Sequence, residues 1–274
     1  MGRYDVNGIK ALNNKLSGIS SRTVNMPQPQ TASNALTDKI VSLLETGSQF
    51  KQNDSSLNEL EHQSKQLAKA NVAEGYIALA AISMLKGNFD EMRSRYAIAR
   101  NQGLSPGQRL NYATALCHSG FFSEAQDIIK SSLDSLPDPL FAAAKAVMGF
   151  QFQLAIEMLA KADRLKLPIP EDFVNFKQII IEMEDLLTKA GIDNATLVQS
   201  ADLAGEVMRE HHVYFKIMPL FSYSKNDDGV YNICTTFFVP TSFENASEMT
   251  YSYAEKMLSK GIGHDNFIIR FRGA

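Results

Sequence analysis

The sequence predicts a mainly α protein, a stack of helical hairpins followed by a small α+β module. Three observations carry that reading. From Leu36 to about Gly191, apolar residues recur three and four apart, the period of a helix with one buried face. Pro106, Pro137, Pro139, Pro168 and Pro170 fall between these periodic blocks, where a proline neither deletes a needed donor nor clashes with a preceding turn. Beyond Gly191 the pattern changes to β-branched and aromatic runs separated by turn residues, which is strand chemistry.

Taken in order, residues 1–33 are expected to form a flexible, mildly basic arm. Arg3, Lys10, Lys15 and Arg22 stand against Asp5 alone, and the prolines of Met26–Gln30 suppress regular structure. Residues 34–191 form the helical part. It opens on Leu36, Ile40, Leu43 and Leu44, continues with Leu57, Leu60 and Leu67, and closes on Phe173, Phe176, Ile180, Met183 and Leu187, the stripe of a capping helix. Residues 192–274 form the module. A helix from about Asn194 to His211 leads into two strands, Val213 to Tyr223 and Val230 to Val239, joined by the turn Lys225-Asn226-Asp227-Asp228-Gly229. Alternation puts Tyr231, Ile233, Phe237 and Val239 on one face of the second strand, and Phe267, Ile269 and Phe271 on one face of a last strand. Between them Thr241-Ser242-Phe243-Glu244 matches a capping box for a helix that carries Ala246, Met249, Tyr253 and Met257 and ends at Gly261. The order is αββαβ, a small sheet with its helices on one face.

The helical part repeats itself. Ile82 to Met92, Leu116 to Ala125 and Ala146 to Ala155 align, with the aromatic at Phe89, Phe122 and Phe152 at intervals of 33 and 30 residues. Ala80, Gly87, Met92, Tyr96 and Ala99 correspond to Ala113, Gly120, Ala125, Ile129, Ser132 and Pro137, and then to Ala143, Gly149, Ala155, Leu159 and Ala162. In this pattern, over about residues 72–168, the chain resembles the tetratricopeptide-repeat (TPR) family, whose helix-turn-helix unit is roughly 34 residues long. The resemblance implies two helices per repeat, packed through small residues and joined by a turn that needs glycine. Met92 stands where the family has Ala, the third glycine is displaced by one position, and Tyr76 alone keeps the first-helix aromatic.

Charge and motifs narrow the chemistry. With 27 Lys plus Arg and 30 Asp plus Glu in 274 residues, the formal net charge is −3, which provides no basic field for a nucleic-acid backbone or an anionic membrane. Cys117 and Cys234 make neither a disulfide framework nor a CxxC site, so a cytoplasmic location is expected. No run approaches a membrane span, and no GxxxxGK[ST], HExxH, GxSxG or GxGxxG motif is present. No catalytic residue, metal or cofactor is assigned. Gly261-Ile262-Gly263 follows a helix and reads as its C-terminal turn. Cys117 and His118, neighbours on one helix, diverge by about a hundred degrees and do not share a proton. His211 and His212 read as packed or helix-end residues.

TPR geometry implies a concave surface made of Ile77, Ala81, Met84 and Leu85, then Leu110, Asn111, Thr114 and His118, then Leu140, Ala144, Val147 and Met148. Only Asn111 answers to the Lys, Arg and Asn with which some repeats clamp a C-terminal carboxylate, so a carboxylate clamp is not expected. The surface otherwise fits an amphipathic helix or an extended apolar peptide, because methionine repacks around different shapes. The chain's own N-terminal helices or C-terminal module can fill it instead. The expected function is a non-enzymatic adaptor, regulator or chaperone holding a protein partner, with homodimerisation through an open strand edge of the module as a second interface. Secretion-system chaperones of TPR type are one example, although the module is not part of their usual plan. Two alternatives stay open. One is a small enzyme or nucleic-acid effector using His212, Tyr214, Lys216, Arg270 and Arg272, which requires those side chains to converge in a cleft. The other is an antitoxin or immunity protein.

Overall fold

The computed structural model describes residues 32–44, 46–50, 54–133, 135–136, 138–215 and 218–273. The arm expected over residues 1–33 lies outside the described residues but for its last two, as do Pro137 and Lys216. Among the described residues the order is α1 (Ala32–Leu44), α2 (Ser55–Ala70), α3 (Val72–Leu85), α4 (Phe89–Arg100), α5 (Pro106–His118), α6 (Phe122–Leu133), α7 (Pro139–Met148), α8 (Phe152–Arg164), α9 (Glu171–Lys189), α10 (Asn194–Glu210), β1 (Leu220–Lys225), β2 (Tyr231–Val239), α11 (Phe243–Lys260) and β3 (Phe267–Gly273).

Short polar side chains start several of the helices. Asp54 accepts from Ser56 N at 2.9 Å, Asn71 from Glu74 N at 3.2 Å, Asp138 from Leu140 N at 2.9 Å and Asp193 from Thr196 N at 2.7 Å. Each supplies an acceptor to a first-turn amide that has none within the helix. Ser105 and Gln108 form a reciprocal capping box ahead of Pro106. In α11 the cap is Ser242, which accepts from Asn245 N, one residue later than the box expected from Thr241.

The turns between paired helices share one geometry. Gly87 and Gly120 both take a φ of +73°, and the following amides reach five residues back, Asn88 N to Ser83 O at 2.8 Å and Phe121 N to Leu116 O at 2.9 Å. The third turn bonds Gln151 N to Ala146 O at 2.9 Å, but its left-handed residue is Phe150, at +61°, because the displaced glycine precedes that position. A side chain there costs about 1–2 kcal/mol, offset by burial of the Phe150 ring against Phe122 and Phe221.

Residues that recur in sequence are those that interlock. Ala80, Met92, Ala99, Ala113, Ala125, Ala143, Ala155 and Ala162 are all buried, and Tyr96 stacks on Tyr112 at 3.4 Å between neighbouring hairpins. The pairs α3–α4, α5–α6 and α7–α8 pack as hairpins, and α3, α5 and α7 form a row, each against the next. This arrangement is compatible with a helical repeat. The α9 stripe of Phe173, Phe176, Ile180, Met183 and Leu187 is buried, with α8 on one side of the helix and β2 also in contact.

The αββαβ order is present, in a sheet of order β1-β2-β3 with β1 antiparallel and β3 parallel to β2. Ile233, Phe237, Val239, Phe267, Ile269 and Phe271 are buried on its inner face. The first strand is shorter than the sequence predicts: it begins at Leu220, and Val213–Phe215 leaves the sheet to meet the helices. The core does not pause at residue 192. Buried residues from Ala80 to Phe271 form one continuous cluster. There α10 sits directly on the α5–α6 turn, and a Cβ on Gly205 would collide with the backbone of Gly120, so this crossing depends on glycine at both places. A smaller cluster of Leu36, Ile40, Leu57, Leu60, Ala78, Ile82 and Leu85 holds α1 and α2 to α3. No helix among the described residues is long and apolar enough to cross a membrane.

Candidate binding groove

The row of α3, α5 and α7 is partly roofed by the chain itself. After α10, His212 takes a φ of +56° and the chain enters the extended segment Val213–Phe215. Backbone hydrogen bonds hold this strap: Tyr214 N donates to Gly47 O at 2.7 Å, and Gln49 N to His212 O at 3.1 Å. The Tyr214 hydroxyl donates to the Met84 carbonyl at the end of α3. Phe215 is fully buried, stacked on His118 at 4.7 Å and set edge-on to Phe237 at 5.7 Å.

The strap and the neighbouring helices decide which expected groove residues remain a surface. Met84, Leu85 and Leu110 have no exposed area, and Ala144 and Val147 retain 7% and 5%; these five are core rather than lining. The TPR resemblance implied a concave position for them, but α3 is enclosed by α1, α2, α4 and the strap, and Leu110, Ala144 and Val147 pack into the cluster that runs from Ala80 to Phe271. Ile77, Ala81, Thr114, Leu140 and Met148 are half-buried, Asn111 is exposed, and His118 lies partly covered under Phe215.

Lys145 of α7, which the sequence reading passed over, joins this surface. It is the one charged residue between Asp138 and Glu157, a signal that could have marked it. Its ammonium donates to Thr114 Oγ1 at 2.9 Å and lies 5.2 Å from the centre of the Phe141 ring. No carboxylate among the described residues pairs with it. Burial pushes its pKa down to about 8, pushes the Cys117 thiol up to about 12 and pushes His118 down to about 4. At neutral pH the neighbours are thus a thiol, a neutral imidazole and an ammonium. There is no thiolate for nucleophilic chemistry, and the positive charge sits on Lys145.

The alternative polar cluster does not assemble among the described residues. His212 Nδ1 is 3.2 Å from Gln49 Oε1, Tyr214 is bonded to α3, and Arg270 Nε donates to Thr236 Oγ1 at 2.8 Å on the outer sheet face, where Arg272 is also exposed. A separate cleft of about 360 Å³ lies where α10 meets the α5–α6 turn. Its charges are engaged internally. Asp202 caps α6 through Phe122 N and Ser123 N at 2.6 and 3.1 Å, and Arg209 caps α5 through the carbonyls of Ser119 and Gly120 at 2.8 and 2.7 Å. Arg93 and Arg209 stand 4.3 and 4.0 Å from the centre of the Phe121 ring. This joint fastens α10 to the hairpins. No group of three His, Cys, Asp or Glu among the described residues is placed to hold a metal ion.

The chain matches no family model, no curated protein and no solved structure.

His118 supplies a pH signature for the strap region. Its folded pKa is near 4 against an ordinary 6.5, so the unfolded chain takes up a proton that the folded chain refuses. Stability from this group is present above pH 6.5 and is lost as pH falls toward 4. The loss amounts to up to about 3 kcal/mol, at 1.36 kcal/mol per pKa unit. Urea unfolding of wild type and His118→Gln across this window should give a steeper decline for wild type; parallel profiles would show that another group titrates.

Proposed function

We propose that this chain is a cytoplasmic, non-enzymatic adaptor, regulator or chaperone of TPR-like build. Its concave face holds an apolar or amphipathic protein segment through one carboxylate set against Lys145. Lys145 carries the reading: a half-buried ammonium between Thr114 and Phe141, with no acid beside it among the described residues. A desolvated, uncompensated charge is costly, and a carboxylate delivered by a ligand offsets part of that cost. Leu140 and Met148 of the same helix, both half-buried, supply the apolar contact, with the thioether adapting to the ligand's shape. The strap shortens the groove, so the ligand lies over α5 and α7 near Thr114 rather than over Met84 and Leu110. The common geometry of the three turns supports the TPR-like label. The edge of β1, unpaired among the described residues, is the second interface, suited to strand addition by another copy.

Peptides selected from a random library on the full chain test this. They are expected to carry an acidic side chain or a free C-terminal carboxylate among apolar residues and to bind more weakly as salt rises. On Lys145→Met they should lose about tenfold in affinity, or 1.4 kcal/mol, while the variant melts no lower than wild type. Equal affinity for both proteins, or chemical-shift changes confined to other surfaces, would remove the reading.

A further inference from the structure

A surface outside the groove lacks a partner among the described residues. On its inner side α11 buries Ala246, Met249 and Tyr253. On its outward side stand Phe243, Tyr251 and Leu258, which are 76%, 74% and 76% exposed. With Ser247 and Ala254 between them, they fall on one stripe at helical period. Glu244, Glu248 and Glu255 run beside the stripe, all exposed and without an ion pair among the described residues, whereas Lys256 and Lys260 of the same helix are held by Glu206 and Glu210 of α10. Large apolar side chains left out together mark a docking face. The acidic row selects a basic, amphipathic occupant and disfavours a second α11, which would bring like charges together.

The chain carries such an occupant. Residues 1–31 lie outside the described structure. In their sequence Val6, Ile9, Leu12, Leu16 and Ile19 stand three and four apart, accompanied by Arg3, Lys10, Lys15 and Arg22 against the single acid Asp5. We infer that this N-terminal segment docks on the outward stripe of α11 in its own chain, apolar residues on Phe243, Tyr251 and Leu258 and basic residues beside the glutamates. The attachment points allow the reach. Ser48, shortly after α1, bridges to Val213, close in sequence to Glu210, whose carboxylate holds Lys256 of α11 at 2.8 Å. From there α1 extends about 20 Å, and residues 23–31 can span up to roughly 30 Å more.

Photocrosslinking of the full chain decides the matter, with p-benzoylphenylalanine replacing Tyr251, a position whose exposure tolerates it. Illumination at micromolar concentration should yield a monomeric product whose crosslink maps by mass spectrometry to residues 1–24. The yield should fall at least tenfold on joint Glu248→Lys and Glu255→Lys, and return when Lys10→Glu and Lys15→Glu are added. Circular dichroism and melting of these exposed-site variants should match wild type. Crosslinks between two copies, crosslinks to any other segment, no crosslink, or a yield indifferent to charge reversal would each overturn the inference.

Discussion

Replacing Met84 and Leu110 together by Asp is expected to leave no cooperatively folded chain at neutral pH. Neither side chain has exposed surface, and both belong to the cluster that runs on into the sheet. Each new carboxylate would be buried without a donor, at a cost of several kcal/mol against a total stability of roughly 5–15 kcal/mol. Far-ultraviolet dichroism and thermal melting measure the outcome. Met84→Leu and Leu110→Met conserve volume and should lose less than about 1.5 kcal/mol each, which separates the effect of charge from that of substitution itself. A soluble double Asp variant with a wild-type melting curve would mean that α3 and α5 do not close over these positions.

Phe215→Ala should be the next most damaging change. The ring is fully buried between His118 and Phe237, and removing a buried phenylalanine costs about 3–5 kcal/mol. At about 2–4 °C per kcal/mol for a chain of this size, the melting temperature should drop by about 10 °C. A second readout is tied to the strap. Without the stacked ring water reaches the imidazole, so the His118 pKa should climb from about 4 toward its ordinary 6.5, as followed by NMR titration. Destabilisation with His118 still titrating near 4 would show that the helices, not the strap, bury it.

Much of the architecture was legible because the interactions that create it are local. Gly87 and Gly120 announce a left-handed turn wherever they occur at a helix end, and the third turn was recognisable from Phe152 even though Phe150 takes the strained position. Strand pairing was legible for Tyr231–Val239, although its last five residues are all buried; the expected alternation matches burial in β3, where Phe267, Ile269 and Phe271 are buried and the residues between them exposed. The same β-branched and aromatic composition misled at Val213–Phe215, where an extended conformation belongs to the strap instead of the hairpin. Of the groove, Thr114, Leu140 and Met148 stayed on a surface, while Lys145 went unread because a lone cation on an apolar helix gains its meaning from the neighbours that deny it a counter-charge.

By itself, then, the sequence determined the helices and their joints, the repeat of the turns and the αββαβ order. Period and proline position each act within a few residues. Only the tertiary structure decided which apolar face stays open. A helical period records that a face is covered, and it reads the same whether the cover is solvent-excluding partner, neighbouring helix or strap. Tyr214 reaches the Met84 carbonyl across 130 residues of sequence, and α10 reaches the α5–α6 turn through paired glycines. Such contacts depend on how the whole chain closes, and so they turned Met84 and Leu110 into core while leaving Lys145 without a carboxylate among the described residues and the outer stripe of α11 exposed.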